Sequence, residues 1–206
     1  AERGEKSVFF AFDEGRGTVE ARAKTLGLKF GPALESGMIR FQQIDPAEMS
    51  PGEFAHRVRE SVQREGVRVI VIDSLNGYMN AMPEERFLTA HLHEMFAFLN
   101  QKGVTTIIVV AQHGMMIGPR SVSDIDVSYL ADTVLLFRYF EAEAEIKQAV
   151  SVFKKRTGPH QRTIHELTID SKGVKVGAPL RGFRGIMTGV PEYQGGLKMP
   201  KGRMGT

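Results

Sequence analysis

This chain of 206 residues contains no cysteine and no tryptophan. Without cysteine there is no disulfide framework and no thiolate metal site, which fits a cytoplasmic protein. Long hydrophobic runs are missing too, and none approaches the ~20 residues needed to span a bilayer. The opening Ala1-Glu2-Arg3-Gly4-Glu5-Lys6 is charged and leads directly into a strand pattern, so it is not a signal peptide. An excess of one charge sign is nearly lacking, with 27 basic residues against 24 acidic ones. A formal net charge of +3 is too weak to argue for nucleic acid as a partner, and part of the excess sits late, at Lys198, Lys201 and Arg203. What is left, 42% hydrophobic and 25% charged residues, is the composition of a globular domain with a sizeable core.

One further absence concerns chemistry. Val67-Arg68-Val69-Ile70-Val71-Ile72-Asp73-Ser74 is a β-branched apolar run closing on an acid and a hydroxyl. A buried parallel strand of this kind delivers a carboxylate to its C-terminal edge, where nucleotide hydrolases use one to hold Mg²⁺ against phosphate oxygens. Such a carboxylate works with a glycine-rich phosphate loop ending in Gly-Lys-Ser or Gly-Lys-Thr. Neither tripeptide occurs in this sequence.

Strand and helix patterns alternate over the first half. Residues 7–12 read as a strand and 16–26 as a helix, with 27–37 as a Gly- and Pro-punctuated loop and 38–44 as a second strand. Ser50-Pro51-Gly52-Glu53 combines an N-cap, a proline at the first helical position and an acid at the third, which predicts a helix running to about Glu65 and stopping at Gly66. The apolar strand 67–73 follows, then an amphipathic helix from Pro83-Glu84-Glu85 to Gly103, then a strand over 104–111. Apolar strands separated by helices predict an α/β fold, a mostly parallel sheet covered on both faces. Residues 133–140, 146–153 and 162–169 read as a meander added to that core, with a turn at Lys172-Gly173 and a short element over 182–190. The expected domain spans 1–190. Residues 191–206, rich in Gly, Lys and Pro, are expected to form a flexible basic tail.

Several residues carry candidate chemistry. Asp13-Glu14 follows the first strand, at the edge where ligands bind in open α/β sheets, and a carboxylate there could orient and deprotonate a water. The plainer reading is an acidic pair that starts a helix. Asp73-Ser74 ends a wholly apolar strand, with a loop cap as the alternative. Gln112 and His113, ending the strand after it, could sense a phosphate or a water. Phe153-Lys154-Lys155-Arg156-Thr157-Gly158-Pro159-His160 places an ammonium, a guanidinium and an imidazole on one turn, with Lys154 and Arg156 on one face if the strand reaches them. Such a cluster can neutralise phosphate charge, although a solvated hairpin tip is the default for a basic run. His91 and His93 stand two apart on a helix and point different ways, and no G-x-S-x-G signature is present.

Taken in order, these segments resemble the KaiC family of RecA-type ATPases over about residues 1–193. The resemblance lies in Val8-Phe9-Phe10-Ala11-Phe12-Asp13-Glu14, Val69-Ile70-Val71-Ile72-Asp73-Ser74-Leu75, Leu130-Ala131-Asp132-Thr133-Val134-Leu135-Leu136, Val152-Phe153-Lys154-Lys155-Arg156 and Phe183-Arg184-Gly185-Ile186-Met187-Thr188-Gly189-Val190-Pro191. It implies a RecA-like P-loop ATPase core that binds ATP and Mg²⁺ and works as a homo-oligomer, a six-membered ring, with a regulatory protein as a further partner. Asp13-Glu14 falls where the family has a Glu-Glu pair, making these the catalytic carboxylates, with Glu14 best placed to act on water. Asp73 falls at the metal position, with Ser74 beside it at the nucleotide. Lys154 and Arg156 match a Lys-x-Arg pair that reaches the neighbouring protomer's phosphates, and His160 matches a His on the same loop. Ser128 is a candidate phosphate acceptor for autokinase activity, although Tyr129 replaces the family's adjacent Thr. The family's first strand, phosphate loop and following helix have no counterpart, so Ala1 is expected to fall in the last turn of that helix. On this expectation the chain alone is impaired in binding Mg-ATP. A non-catalytic interaction module on the same fold and a RecA-type recombination ATPase are the alternatives. Asp124 and Asp126 around Arg120 weigh against the DNA reading.

Overall fold

The computed structural model describes residues 1–45, 47–80, 88–111, 130–188 and 191–194. It resolves into two compact units, residues 1–111 with 170–173, and residues 112–169 with 174–206. No break in composition marks that division.

In the first unit, β1 (Ser7–Ala11), β2 (Ile39–Gln43), β3 (Val69–Asp73) and β4 (Thr105–Ile108) form a parallel sheet in the order β2-β1-β3-β4. Ala11 is in register with Gln43 on one side and Asp73 on the other, so three strands end level. Alternation sorts the side chains by face. Val8 and Phe10 of β1 and Ile70 and Ile72 of β3 are buried, together with Phe54 and Val58 of α3 (Pro51–Gln63) and Leu92, Met95 and Leu99 of α5 (Leu88–Gln101). Burying each of these large side chains stabilises the fold by about 1.5–3 kcal/mol. The opposite face stacks Phe9 on Phe41 at 5.4 Å, with Phe30 of α2 (Phe30–Glu35) edge-on at 6.5 Å. Toward β4 that face is less covered: Ile107 is 49% and Val109 41% exposed. Cover on both faces, expected from the sequence, is therefore partial among the described residues.

α1 (Arg16–Thr25) and α3 form where the patterns place them, and α3 carries the full capping box. The Ser50 hydroxyl accepts from the Glu53 N–H at 3.2 Å, and the Glu53 carboxylate accepts from the Ser50 N–H at 3.0 Å. The Gly27–Gly37 stretch is not loop throughout, because α2 occupies its middle. Pro32 sits in the first turn of α2, where its missing N–H has no intrahelical acceptor to lose. α4 (Leu75–Asn80) is a further short helix after β3. The expected helix start at Pro83 lies outside the described residues.

In the second unit, β5 (Thr133–Ala142), β6 (Glu145–Lys155), β7 (His165–Asp170) and β8 (Gly173–Pro179) form a sheet in that order, antiparallel from β5 to β7. Glu143 and Ala144 close the β5–β6 hairpin with φ of 56° and 60°, the geometry of a type I′ turn. Phe140, Ala142, Ala149 and Ile186 make a small core, with Ile164, Leu180 and Phe183 packed on it. β9 (Phe183–Arg184) pairs with β10 (Glu192–Tyr193), so regular structure continues past residue 190, where the sequence suggests a tail. Residues 195–206 of that tail lie outside the described residues. No helix among the described residues is long and apolar enough to cross a membrane.

Candidate active site

The level strand ends bring Phe12-Asp13-Glu14 and Asp73-Ser74 out at one edge of the first unit. The Phe12 N–H donates to the Asp73 carbonyl at 2.8 Å, lashing the two exits together. Below them Phe10, Phe12, Phe54 and Tyr78 make an aromatic cluster with ring centroids 5.2 to 5.5 Å apart. Close-packed aromatic edges of this kind hold the base of the site.

Asp13 and Glu14 do not serve as helix caps. The N-cap of α1 is Gly15, which makes no side-chain cap hydrogen bond. Asp13 instead accepts from the buried Ser74 hydroxyl at 2.7 Å, and Ser74 accepts from the Gly77 N–H at 3.1 Å, capping α4. Gly77 leaves room for this contact: a Cβ there would come within 2.8 Å of both Asp13 carboxylate oxygens and 2.7 Å of the Phe12 Cβ. Glu14 turns the other way and is held by Arg22, whose two terminal nitrogens donate to its two oxygens at 2.6 and 2.5 Å. Asp73 has no hydrogen bond from another side chain among the described residues. Burial, foremost, then the nearby Glu14 and Asp13 charges raise its carboxyl above the usual carboxylate range, while Arg22 pulls it down. Arg22 is raised in turn, chiefly by its hydrogen bonds to Glu14. Three carboxylates and one guanidinium thus share this edge.

In the second unit, the β5–β6 pairing skips a residue. Leu135 faces Val152, but Val134 faces Lys154, which leaves Phe153 as a bulge. A bulge re-aims the side chains beyond it. Here it puts Lys154 on the face of Val134 and Leu136, and Arg156 continues the pairing through its N–H to the Asp132 carbonyl at 2.7 Å. The Arg156 guanidinium also meets the Asp132 carboxylate at 3.0 Å. Residues 155–159 are exposed, and His160 follows half-buried.

Of the sequence candidates, Asp13, Glu14, Asp73 and Ser74 gather in the first unit, whereas Lys154, Arg156 and His160 lie on the second. Ser128, Gln112 and His113 fall outside the described residues. Among the described residues no three acidic or imidazole side chains converge as a metal cage. Arg22, Gly77 and Asp132 are partners that sequence reasoning missed. The one signal for Arg22 is its spacing, an acid and a base eight residues apart, near two turns along a helix.

A parallel sheet with carboxylates at its C-terminal edge, flanked by helices and followed by antiparallel strands, is an α/β fold of the RecA-like class. The chain belongs to the KaiC ATPase family, whose family model matches residues 1–181. It is 25% identical over 190 residues to the circadian clock oscillator protein KaiC of Thermosynechococcus vestitus, covering 92% of this chain and 36% of that protein. Against the circadian clock protein KaiC3 of a Synechocystis species the identity is 24% over 190 residues, covering 92% and 37%. Against the KaiC of Synechococcus elongatus it is 24% over 187 residues, covering 91% and 36%. The chain thus spans little more than a third of the length of these relatives.

Proposed function

We propose that this chain supplies the acidic half and the basic hairpin of an ATP-hydrolysing site shared between copies of a ring-forming, regulatory protein. The observation that carries this reading is the contrast at one sheet edge: Glu14 is oriented by a guanidinium fork, while Asp73 beside it has no side-chain hydrogen bond among the described residues. Glu14 suits the task of orienting a water and accepting its proton. Asp13, tied to Ser74, holds the edge in shape.

The donor set fits Mg²⁺. The ion binds through one or two carboxylates plus phosphate and water oxygens and needs no cage of protein ligands. Asp73 would hold it, with Ser74 adjacent, and the bound ion would neutralise phosphate charge. Lys154, Arg156 and His160 of a neighbouring copy would approach the phosphates from the other side, and Arg156 would exchange Asp132 for a phosphate oxygen. A non-catalytic module would have no use for an oriented Glu14 next to a half-buried Asp73 that no described side chain hydrogen-bonds.

The test is steady-state ATP hydrolysis by the full-length gene product and its Glu14→Gln variant. The variant is expected to lose about 10²–10⁴-fold in kcat while still binding ATP. Chelating Mg²⁺ should abolish turnover in the parent. Unchanged turnover by Glu14→Gln would remove the reading.

A further inference from the structure

We propose that Arg22 is the positioning residue for Glu14: its guanidinium fork sets the plane of the carboxylate that meets the water. This rests on the proposed hydrolytic role of Glu14. Both terminal nitrogens of Arg22 donate, one to each Glu14 oxygen, at 2.6 and 2.5 Å. Two parallel bonds fix position and orientation together, which a single ammonium cannot do.

The placement gives the fork a purpose beyond stability. Glu14 lies in the β1–α1 connection, with glycine on its C-terminal side and no role as a cap, so nothing else described holds its side chain. Arg22 comes from the last turn of α1, whose Val19 and Ala23 are buried, so the fork is mounted on a packed element. Each carboxylate oxygen has a second lone pair in addition to the one facing Arg22, which leaves Glu14 able to accept a proton from water. Among the described residues the same guanidinium is the cation that acts on Asp73, where Glu14 and Asp13 add like charge. Arg22 therefore lets three carboxylates share an edge while aiming one of them. An exposed ion pair would contribute little to stability in its own right.

Arg22→Met, Arg22→Lys and Glu14→Gln are made singly, and Arg22→Met also in the Glu14→Gln background, in the full-length gene product. Melting curves check folding, and ATP hydrolysis is followed over a range of Mg-ATP concentrations. Arg22→Met is expected to lose about 10–100-fold in kcat, with KM within about two-fold of the parent, the pattern of lost orientation and not of lost binding. Arg22→Lys should fall between Met and Arg. In the Glu14→Gln background, Arg22→Met should cost nothing further, because it acts through the group already removed.

Full kcat in Arg22→Lys would overturn the proposal, since it would make the fork dispensable; that variant also keeps the test alive if Arg22→Met does not fold. A rise in kcat would overturn it by making Arg22 a brake. Additive losses in the double variant would overturn it by showing that Arg22 acts elsewhere. Parental turnover in Glu14→Gln is a separate result. It would defeat the hydrolytic reading of Glu14, whatever Arg22 does.

Discussion

Asp73 sits half-buried at the sheet edge, and that burial, with Glu14 and Asp13 close by, raises its carboxyl above its ordinary range. An acid whose folded value exceeds its unfolded value favours folding while protonated. Its contribution is complete below the unfolded value, about 3.9, and is lost as pH rises through the folded value. At neutral pH the ionised Asp73 therefore works against the fold, as groups held ready for a ligand commonly do. Asp73→Asn should melt higher than the parent at neutral pH without Mg²⁺, and the gap should close on acidification to about pH 4. An equal or lower melting temperature at neutral pH would show that the charge carries no such penalty. Asp13, Glu14 and Asp73 were legible from the sequence because each ends an apolar strand run, and parallel strands put such ends on one edge. Arg22 was not, because a side chain reaching back along its own helix leaves only a loose spacing. Gly77 was hidden for another reason: its value is the space it leaves for Asp13, and no linear pattern encodes that.

Among the elements, α3 could be read to its caps because Ser50 and Glu53 satisfy each other locally. α2 could not, since Gly31 and Pro32 look like loop residues until the proline is seen to occupy a first turn, where no hydrogen bond is lost. The second unit shows the same limit. The meander of strands was visible, but the bulge at Phe153 comes from pairing with β5 and decides which face Lys154 and Arg156 occupy. A single-residue shift in register moves every later side chain to the other face. The hairpin before it carries its turn without glycine: Ala144 sits at φ 60°, a left-handed conformation that costs an L-residue about 1–2 kcal/mol. Ala144→Gly removes that cost at the expense of a more flexible unfolded chain. It should stabilise the protein by about 1 kcal/mol net, seen as a rise of about 2–4 °C in Tm. A melting temperature that stays put or falls would mean that the hairpin is not strained at this position.

On the scale of the whole molecule, the candidate chemistry is divided, with the proposed catalytic and metal-holding acids on one compact unit and the proposed phosphate-facing cations on the other. The outward row of β5 points to further assembly: Leu135, Phe137 and Tyr139 are 53%, 56% and 61% exposed. Apolar rows of this kind mark interaction surfaces. A head-to-tail ring uses two different patches at each contact, so one copy can offer carboxylates where the next offers a basic hairpin. Mixing tests this arrangement directly. On the proposed arrangement, rings built only from Glu14→Gln subunits would lack the proposed water-activating acid at every contact, and rings built only from Arg156→Ala would lack the cation. Mixed in equal amounts and allowed to exchange, a contact regains both groups only when an Arg156→Ala subunit presents Glu14 to a Glu14→Gln neighbour that presents Arg156. Random placement produces this at about one contact in four. Activity should therefore rise from near nothing to about a quarter of the parent's, and should fall again when the Arg156→Ala change is placed in both partners. Mixed rings that form, as judged by differently tagged subunits purifying together, yet stay inactive would show that the basic hairpin does not act on the neighbour's nucleotide.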